Sequence, residues 1–220
     1  MPAVSRDQYR LLKPYVTLAE RLGHFAAQVA AGNPGTVRLV YFGRLADGNT
    51  NLLRNAGLAG VPTRSTSHRA NLVNAMQIAE SRGWNVAERH EKRSGHADTI
   101  RIELETDTGI TSAEGALVFE RPRLLQIDGI QCEATLGGFL TFMKNQDVPG
   151  VIGHVGGVLG RNRINIANFS LGRRDAPLKA GEPLEAIALV TTDEAVPESV
   201  LAQLRENPAV RFARSVEFRE

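Results

Sequence analysis

The sequence predicts an α+β chain: an α/β segment first, then a β-α-β-β-α-β segment. Three observations predict it. Apolar residues recur at helical spacing over 6–31 and alternate from Thr36 onward, so the period changes from helix to strand. Asp107-Thr108-Gly109 and Asp128-Gly129 separate alternating runs and read as hairpin turns. From Gly137-Gly138 onward, strand and helix patterns follow each other in the order of a split β-α-β fold.

The first helix, over 6–31, has a stripe of Tyr9, Leu11, Leu12, Tyr15, Leu18, Leu22, Phe25, Ala26 and Val29. Pro14 removes a helical hydrogen bond and is expected to break or kink it. Gly32-Asn33-Pro34-Gly35 ends it. Residues 1–33 therefore read as a connecting helix that docks elsewhere. An α/β domain over 34–136 follows. It opens with a strand in which Val37, Leu39 and Tyr41 alternate with Arg38, Val40 and Phe42. A helix over 51–59 is ended by Gly60 and Pro62. A longer one over 68–81 turns Ala70, Leu72, Val73, Ala75, Met76 and Ala79 to one face and stops at Gly83. Strands are expected over 85–92, 99–105, 112–119, 124–127 and 130–134.

Residues 137–220 form the second domain. A strand over 139–143 leads to a helix over 150–160 with Val151, Ile152, Val155, Val158 and Leu159 on one face. Strands over 164–171 and 185–191 follow. Pro197 suits the first position of a second helix that buries Val200, Leu201 and Leu204. Val210, Phe212, Val216 and Phe218 close with a last strand. This is the ferredoxin-like order, with two helices on one face of a four-stranded antiparallel sheet. Its second strand lies at a sheet edge, where a second copy can pair about a two-fold axis.

With 220 residues, 42% of them hydrophobic, the chain can bury one or two cores. A net charge of +2 is too small to argue for nucleic acid. A single cysteine, Cys132, forms no intrachain disulfide, which suits a reducing compartment. No apolar run approaches the roughly 20 residues of a membrane span, and the first residues lack the apolar core of a signal peptide. A cytoplasmic protein with neither nucleic-acid nor membrane partner is expected.

The most informative stretch is DVPGVIGHVGGVLGRNRINIANFSLGRR, residues 147–174. Asn145 and Asp147 stand where the first strand ends, and Asn165 where the second begins. Asp147 can balance an ammonium group, and the two amides offer donors and acceptors. The free N–H groups at the helix start near Gly150 favour a carboxylate, and Gly150 keeps the backbone open to it. Such a corner suits a small zwitterion held without chemistry. Plain structural roles compete: Asp147 as an N-cap with Val148-Pro149 in the first turn, and Asn165 in a tight turn. Gly153, Gly156, Gly157 and Gly160 lack the G-x-G-x-x-G spacing, and no parallel strand with a following acid appears. They read as close packing against the sheet or a neighbour.

Other sets are weaker. Ser94-Gly95-His96-Ala97-Asp98 holds triad residue types too close together to converge on a nucleophile. His68, His90 and His96 have no paired metal-ligand spacing, so no metal is expected. Cys132 reads as a buried apolar residue. Arg64, Arg69, Arg89, Lys92, Arg93, Arg121 and Arg123 form either a solvated basic surface or an anion site. Phe139 and Phe142 point to opposite faces and make a poor platform for RNA.

Three stretches carry a resemblance. LLKPYVTLAERLG resembles the helix after the nucleotide-binding domain of D-3-phosphoglycerate dehydrogenases, and HRANLVNAMQIAESRGWNV resembles a helix of their allosteric substrate-binding domain. LLQIDGIQCEATLGGFLTFMKNQDVPGVIGHVGGVLGRNRINIANFSLGR resembles their "DG" hairpin and ACT domain. The resemblance implies L-serine, or a similar amino acid, bound between two ACT domains through the side chains of Asn145, Asp147 and Asn165, with Val148 and Gly150 of the intervening turn completing the expected site. It also links the middle domain to anion or phosphorylated-substrate binding in some members. The family has Arg or Lys where Val148 stands, and often His or Tyr where Asn145 stands. Its catalytic and NAD-binding domains should precede this region. No Rossmann fingerprint is present, so no cofactor is expected in this chain, and it should not reduce NAD alone. Dehydrogenase domains, in cis or in trans, are the implied partners.

Overall fold

The computed structural model describes residues 6–61, 70–92, 98–177, 181 and 183–218. The chain divides into two compact units, Met1–Leu124 and Leu125–Glu220. The described strands form one six-stranded and one four-stranded sheet.

In the first unit, α1 (Arg6–Val29) leads to β1 (Pro34–Phe42) and, through a single 3₁₀ turn, to α2 (Asn51–Gly60) and α3 (Ala75–Ser81). Strands β2 (Asn85–Glu91), β3 (Thr99–Thr106) and β4 (Gly109–Val118) complete it, and β5 (Arg121–Ile127) crosses into the second unit. Strand β1 pairs in parallel with β2 and antiparallel with β3. The parallel pair closes a β-α-β crossover that strand periodicity alone does not reveal.

The stretch read as a connecting helix packs against α2, β3 and β4. Leu18, Leu22 and Phe25 are fully buried there, each contributing about 1.5–3 kcal/mol. The helix runs through Pro14 without a break. Its crossing with α2 depends on glycine. A methyl at Gly23 would stand 2.1 Å from the Gly57 carbonyl oxygen, and one at Gly60 would stand 1.9 Å from that of Glu20. No side chain fits between backbones that close.

The helix expected over 68–81 forms only from Ala75. The Asn71 carboxamide oxygen accepts from the N–H groups of Val73 and Asn74 at 2.8 and 3.1 Å, while that of Asn74 accepts from Asn71 at 2.7 Å. These local bonds compete with helical ones and fold 72–74 into a turn. Val73, assigned to the apolar face, is consequently exposed. His68, Arg69 and Pro62 lie outside the described residues. Both hairpin turns form as expected. Thr106 pairs with Gly109 across the first, and Asp128 and Gly129 have φ values of +49° and +81° in the second.

In the second unit, β6 (Ile130–Thr135) completes the hairpin with β5. Then come β7 (Gly138–Gln146), α4 (Val151–Arg161), β8 (Ile166–Arg173), β9 (Glu185–Thr192), α5 (Glu198–Arg205) and β10 (Val210–Phe218). The order β10-β7-β9-β8 is the ferredoxin-like arrangement, with β8 at an edge. Val151, Val155, Val158 and Leu159 of α4 meet Val200, Leu201 and Leu204 of α5 over Met143, Ala188 and Val190 of the sheet. Pro197 precedes α5 as its N-cap, one position earlier than expected. Among the described residues no helix is long and apolar enough to cross a membrane.

The glycine-mediated crossing gives a direct test. Gly23→Ala should destabilise the first unit by about 1–3 kcal/mol, because the added methyl meets backbone that cannot swing aside. Urea denaturation followed by circular dichroism measures it.

Candidate functional site

Strand β7 ends in Lys144-Asn145-Gln146, and register fixes what lies beside it. Asn145 pairs with Ala186 of β9, and Ala186 pairs with Arg173 of β8. Direct antiparallel partners share a face. Asn145, Ala186 and Arg173 therefore form one row on the face that carries Met143 and the helices.

Asn145 is buried. Its side-chain amide donates to the Gln146 carbonyl at 2.8 Å, while its own carboxamide oxygen has no partner. A buried acceptor left unpaired costs about 1–3 kcal/mol. Asp147 lies just past β7, held by its N–H on the Leu184 carbonyl at 2.7 Å. Its carboxylate is 3.3 Å from the Arg173 guanidinium. Asp147 does not cap the helix: α4 begins at Val151, its N-cap is Gly150, and no side chain caps it. The N-cap alternative for Asp147 thus fails on register, since the acid stands three residues before the cap. Val148 is half-buried and packs against the helix-side core. Gly150 adopts the left-handed conformation, φ +93°. An added methyl there would touch nothing within 4 Å. Backbone conformation therefore explains this glycine, and no close neighbour requires it.

Asn165 stands elsewhere. It precedes Ile166, which pairs with Thr192, the partner of Phe139 at the opposite end of β7. Six strand residues, about 20 Å, separate that end from Asn145. Within one chain the expected corner does not assemble. Asn165 instead donates to the Asp193 carboxylate at 2.8 Å. The glycines of α4 also differ from expectation. Methyls at Gly153, Gly156 or Gly160 would meet nothing within 4 Å, so packing against their own sheet does not explain them.

Family models match both units in sequence. Residues 11–128 match the D-3-phosphoglycerate dehydrogenase intervening domain, and residues 139–209 match the ACT domain. The chain belongs to the D-3-phosphoglycerate dehydrogenase family. It is 35% identical over 211 residues to the D-3-phosphoglycerate dehydrogenase of Methanocaldococcus jannaschii, covering 96% of this chain and 39% of that protein. The Bacillus subtilis enzyme of the same name is 28% identical over 212 residues, again 96% and 39%. The chain thus spans about two fifths of the length of these relatives and corresponds to their C-terminal regulatory region.

The other candidates in this D-3-phosphoglycerate dehydrogenase region resolve into structural roles or lie outside the described residues. Arg64, His68, Arg69, Arg93 and the stretch Ser94-Gly95-His96-Ala97 are outside them. The Asp98 carboxylate accepts from Arg44 at 2.6, 2.8 and 2.9 Å. Burial alone would raise its pKa, but the Arg44 bonds prevail and lower it. His90 places Nδ1 2.9 Å from the Ala46 carbonyl oxygen and Nε2 3.4 Å from the Thr50 hydroxyl. Among the described residues no cluster of His, Cys, Asp or Glu could hold a metal. Lys92 pairs with Asp47, and Arg89 is exposed on β2. Cys132 is buried beside Ser170, and burial pushes its thiol pKa up. Phe142 is buried edge-on to Phe212, so it offers no stacking surface.

Arg173 was not among the residues singled out from the sequence. The strand expected there stopped at 171, and only the register shows that Arg173 shares a face with Asn145. The Gly150 reading predicts a stability effect. Gly150→Ala should cost the second unit about 1–2 kcal/mol of backbone strain, with Gly150→Asn costing less, as thermal unfolding will show.

Proposed function

We propose that this chain is the regulatory region of a D-3-phosphoglycerate dehydrogenase in serine biosynthesis. It binds L-serine, or a similar free amino acid, between two paired ACT domains. The observation that supports this most directly is the placement of Asn165 one strand length from Asn145 and Asp147. Strands β7 and β8 run in the same direction, each antiparallel to β9. Two β8 edges paired antiparallel about a two-fold axis would set the start of each against the end of the other. Asn165 of one copy would then lie beside Asn145 and Asp147 of its mate, and the site would occur twice.

Three further features agree. The residues of β8 before Arg173 carry no charge, whereas β10, the other edge, carries Arg211, Arg214 and Glu217. Charged edges resist pairing. Residues of α4 that neither pack on the sheet nor meet a neighbour, Gly153, Gly156 and Gly160, share one side of the helix with half-exposed Ile152 near its flank. Such a surface accepts close approach by a second helix. The Asn145 oxygen is buried without a partner, and Asp147, two residues on, supplies a countercharge for an ammonium group. The partners beyond the pair are dehydrogenase catalytic domains, in cis or in trans. The ligand acts on them through unequal affinity for two quaternary states.

A second reading is a pairing module without a ligand, favoured by the contact Asp147 already makes with Arg173. Titration calorimetry with L-serine separates the two. The wild type should bind, and Asp147→Ala should bind roughly tenfold or more weakly, the loss of one charge-assisted contact. Equal heats for both proteins, or no heat with any amino acid, leave only the pairing module. Light scattering should report at least a dimer with and without ligand. With NAD and 3-phosphoglycerate, this chain by itself should form no NADH; absorbance at the reduced-nicotinamide band would detect it.

A further inference from the structure

We infer that Arg173 determines specificity in this site by binding the α-carboxylate of the ligand, while Asp147 binds its ammonium group. This rests on the reading above that the ACT pair takes a free amino acid, and it names the chemistry that selects one.

Arg173 is placed by the sheet. It closes the row Asn145–Ala186–Arg173, whose outer members are two strand spacings, about 10 Å, apart. The residue between them is alanine, whose methyl leaves the two longer side chains free to converge above it. Asp147 reaches over from the end of β7 to meet Arg173 at 3.3 Å. Anion and cation thus stand side by side at the exits of two strands, next to the unpaired Asn145 oxygen and the uncapped start of α4.

Neither charged group is used up by the other. A guanidinium has five N–H donors and a carboxylate about four acceptor positions. The Arg173 side chain is 63% exposed, and Asp147 is its one ion-pair partner among the described residues. An exposed ion pair of this kind adds little to stability, so structure alone gives a weak account of it. An α-amino acid carries its ammonium and carboxylate on one carbon. Laid against the pair in reverse order, each charge meets its opposite, and the planar fork of arginine suits a carboxylate. The N–H groups of α4 can also face a carboxylate, but they carry only about half a charge and donate to a neutral carboxamide oxygen as well. A full positive charge is what separates an acid from its amide.

L-serine and L-serinamide differ in that charge and share the hydroxyl, and at about pH 6, below the roughly 7.7–8.0 of an α-amino group beside an amide, both also carry the ammonium. Calorimetric titration of both at that pH into the full chain, as wild type and as Arg173→Met, tests the inference. Arg173→Gln is measured in parallel, and thermal unfolding confirms that each variant is folded. The wild type should prefer L-serine by roughly tenfold or more, and Arg173→Met should bring the two ligands to within about twofold with serinamide affinity little changed. A wild type that does not discriminate, or a variant that keeps the full preference, overturns the role of Arg173 and leaves amino-acid binding standing. Equal weakening of both ligands also overturns it, because Arg173 would then only position Asp147. No heat from either ligand on the wild type removes the amino-acid reading for serine and this inference with it. Should Arg173→Met fail to fold, the glutamine variant decides by the same comparison.

Discussion

Strand β9 holds the second unit in register, and the site depends on that register. Its residues Ala186 to Val190 are buried without interruption. Helices cover one face, and β6 packs against the other, where the Cys132 thiol reaches the Ile187 carbonyl. Burial on both faces explains the continuous apolar run in place of alternation. Because side chains alternate along a strand, a slip of one residue against β9 would send Asn145 or Arg173 to the wrong face. The hydrophobic pattern of β9 forbids that slip, so packing in the core fixes the polar row at the strand ends.

The start of α4 forgoes the stability a side-chain cap would give. A helix usually gains from a side chain that accepts one of its first N–H groups. Here the chain turns through left-handed Gly150, and Asp147, three residues earlier, pairs with Arg173 instead of capping the helix. Uncapped N–H groups and an unpaired buried amide oxygen are each unfavourable alone, and an exposed ion pair adds little to stability. Their coincidence at one end of one sheet is what makes the place the candidate site.

The repeat from Gly138 to Phe218 was largely legible in the sequence because its helices and strands are short, regular and separated by clear punctuation. Less was legible where side chains compete with the backbone. Asn71 and Asn74 shorten α3 through bonds that apolar spacing does not report. The turn at Phe119-Glu120, with φ of +49° and +61°, uses no glycine or asparagine and so gave no signal. The partner of α1 was hidden because the two helices meet where Gly23 and Gly60 bring their backbones together, and a glycine has no side chain to count in an apolar pattern. In the site, Asn145 and Asp147 were legible as a pair, being neighbours in sequence. The distance to Asn165 was not, since it follows from strand direction, and Arg173 was not, since it follows from register.

The other face of the same strand ends is also occupied. Lys144 pairs with Asp128 at 2.8 Å, and Arg174 bonds Glu185 and the Asp128 carbonyl oxygen. Each is the immediate neighbour of a row residue and points the opposite way. Gly172 allows the hairpin to sit directly on the strand, since a methyl there would come within 2.1 Å of the Gln131 carbonyl oxygen. The β5–β6 hairpin and the helix-side row are therefore front and back of a single pleat. A substitution that displaces one of them is thus felt by the other across the thickness of one strand.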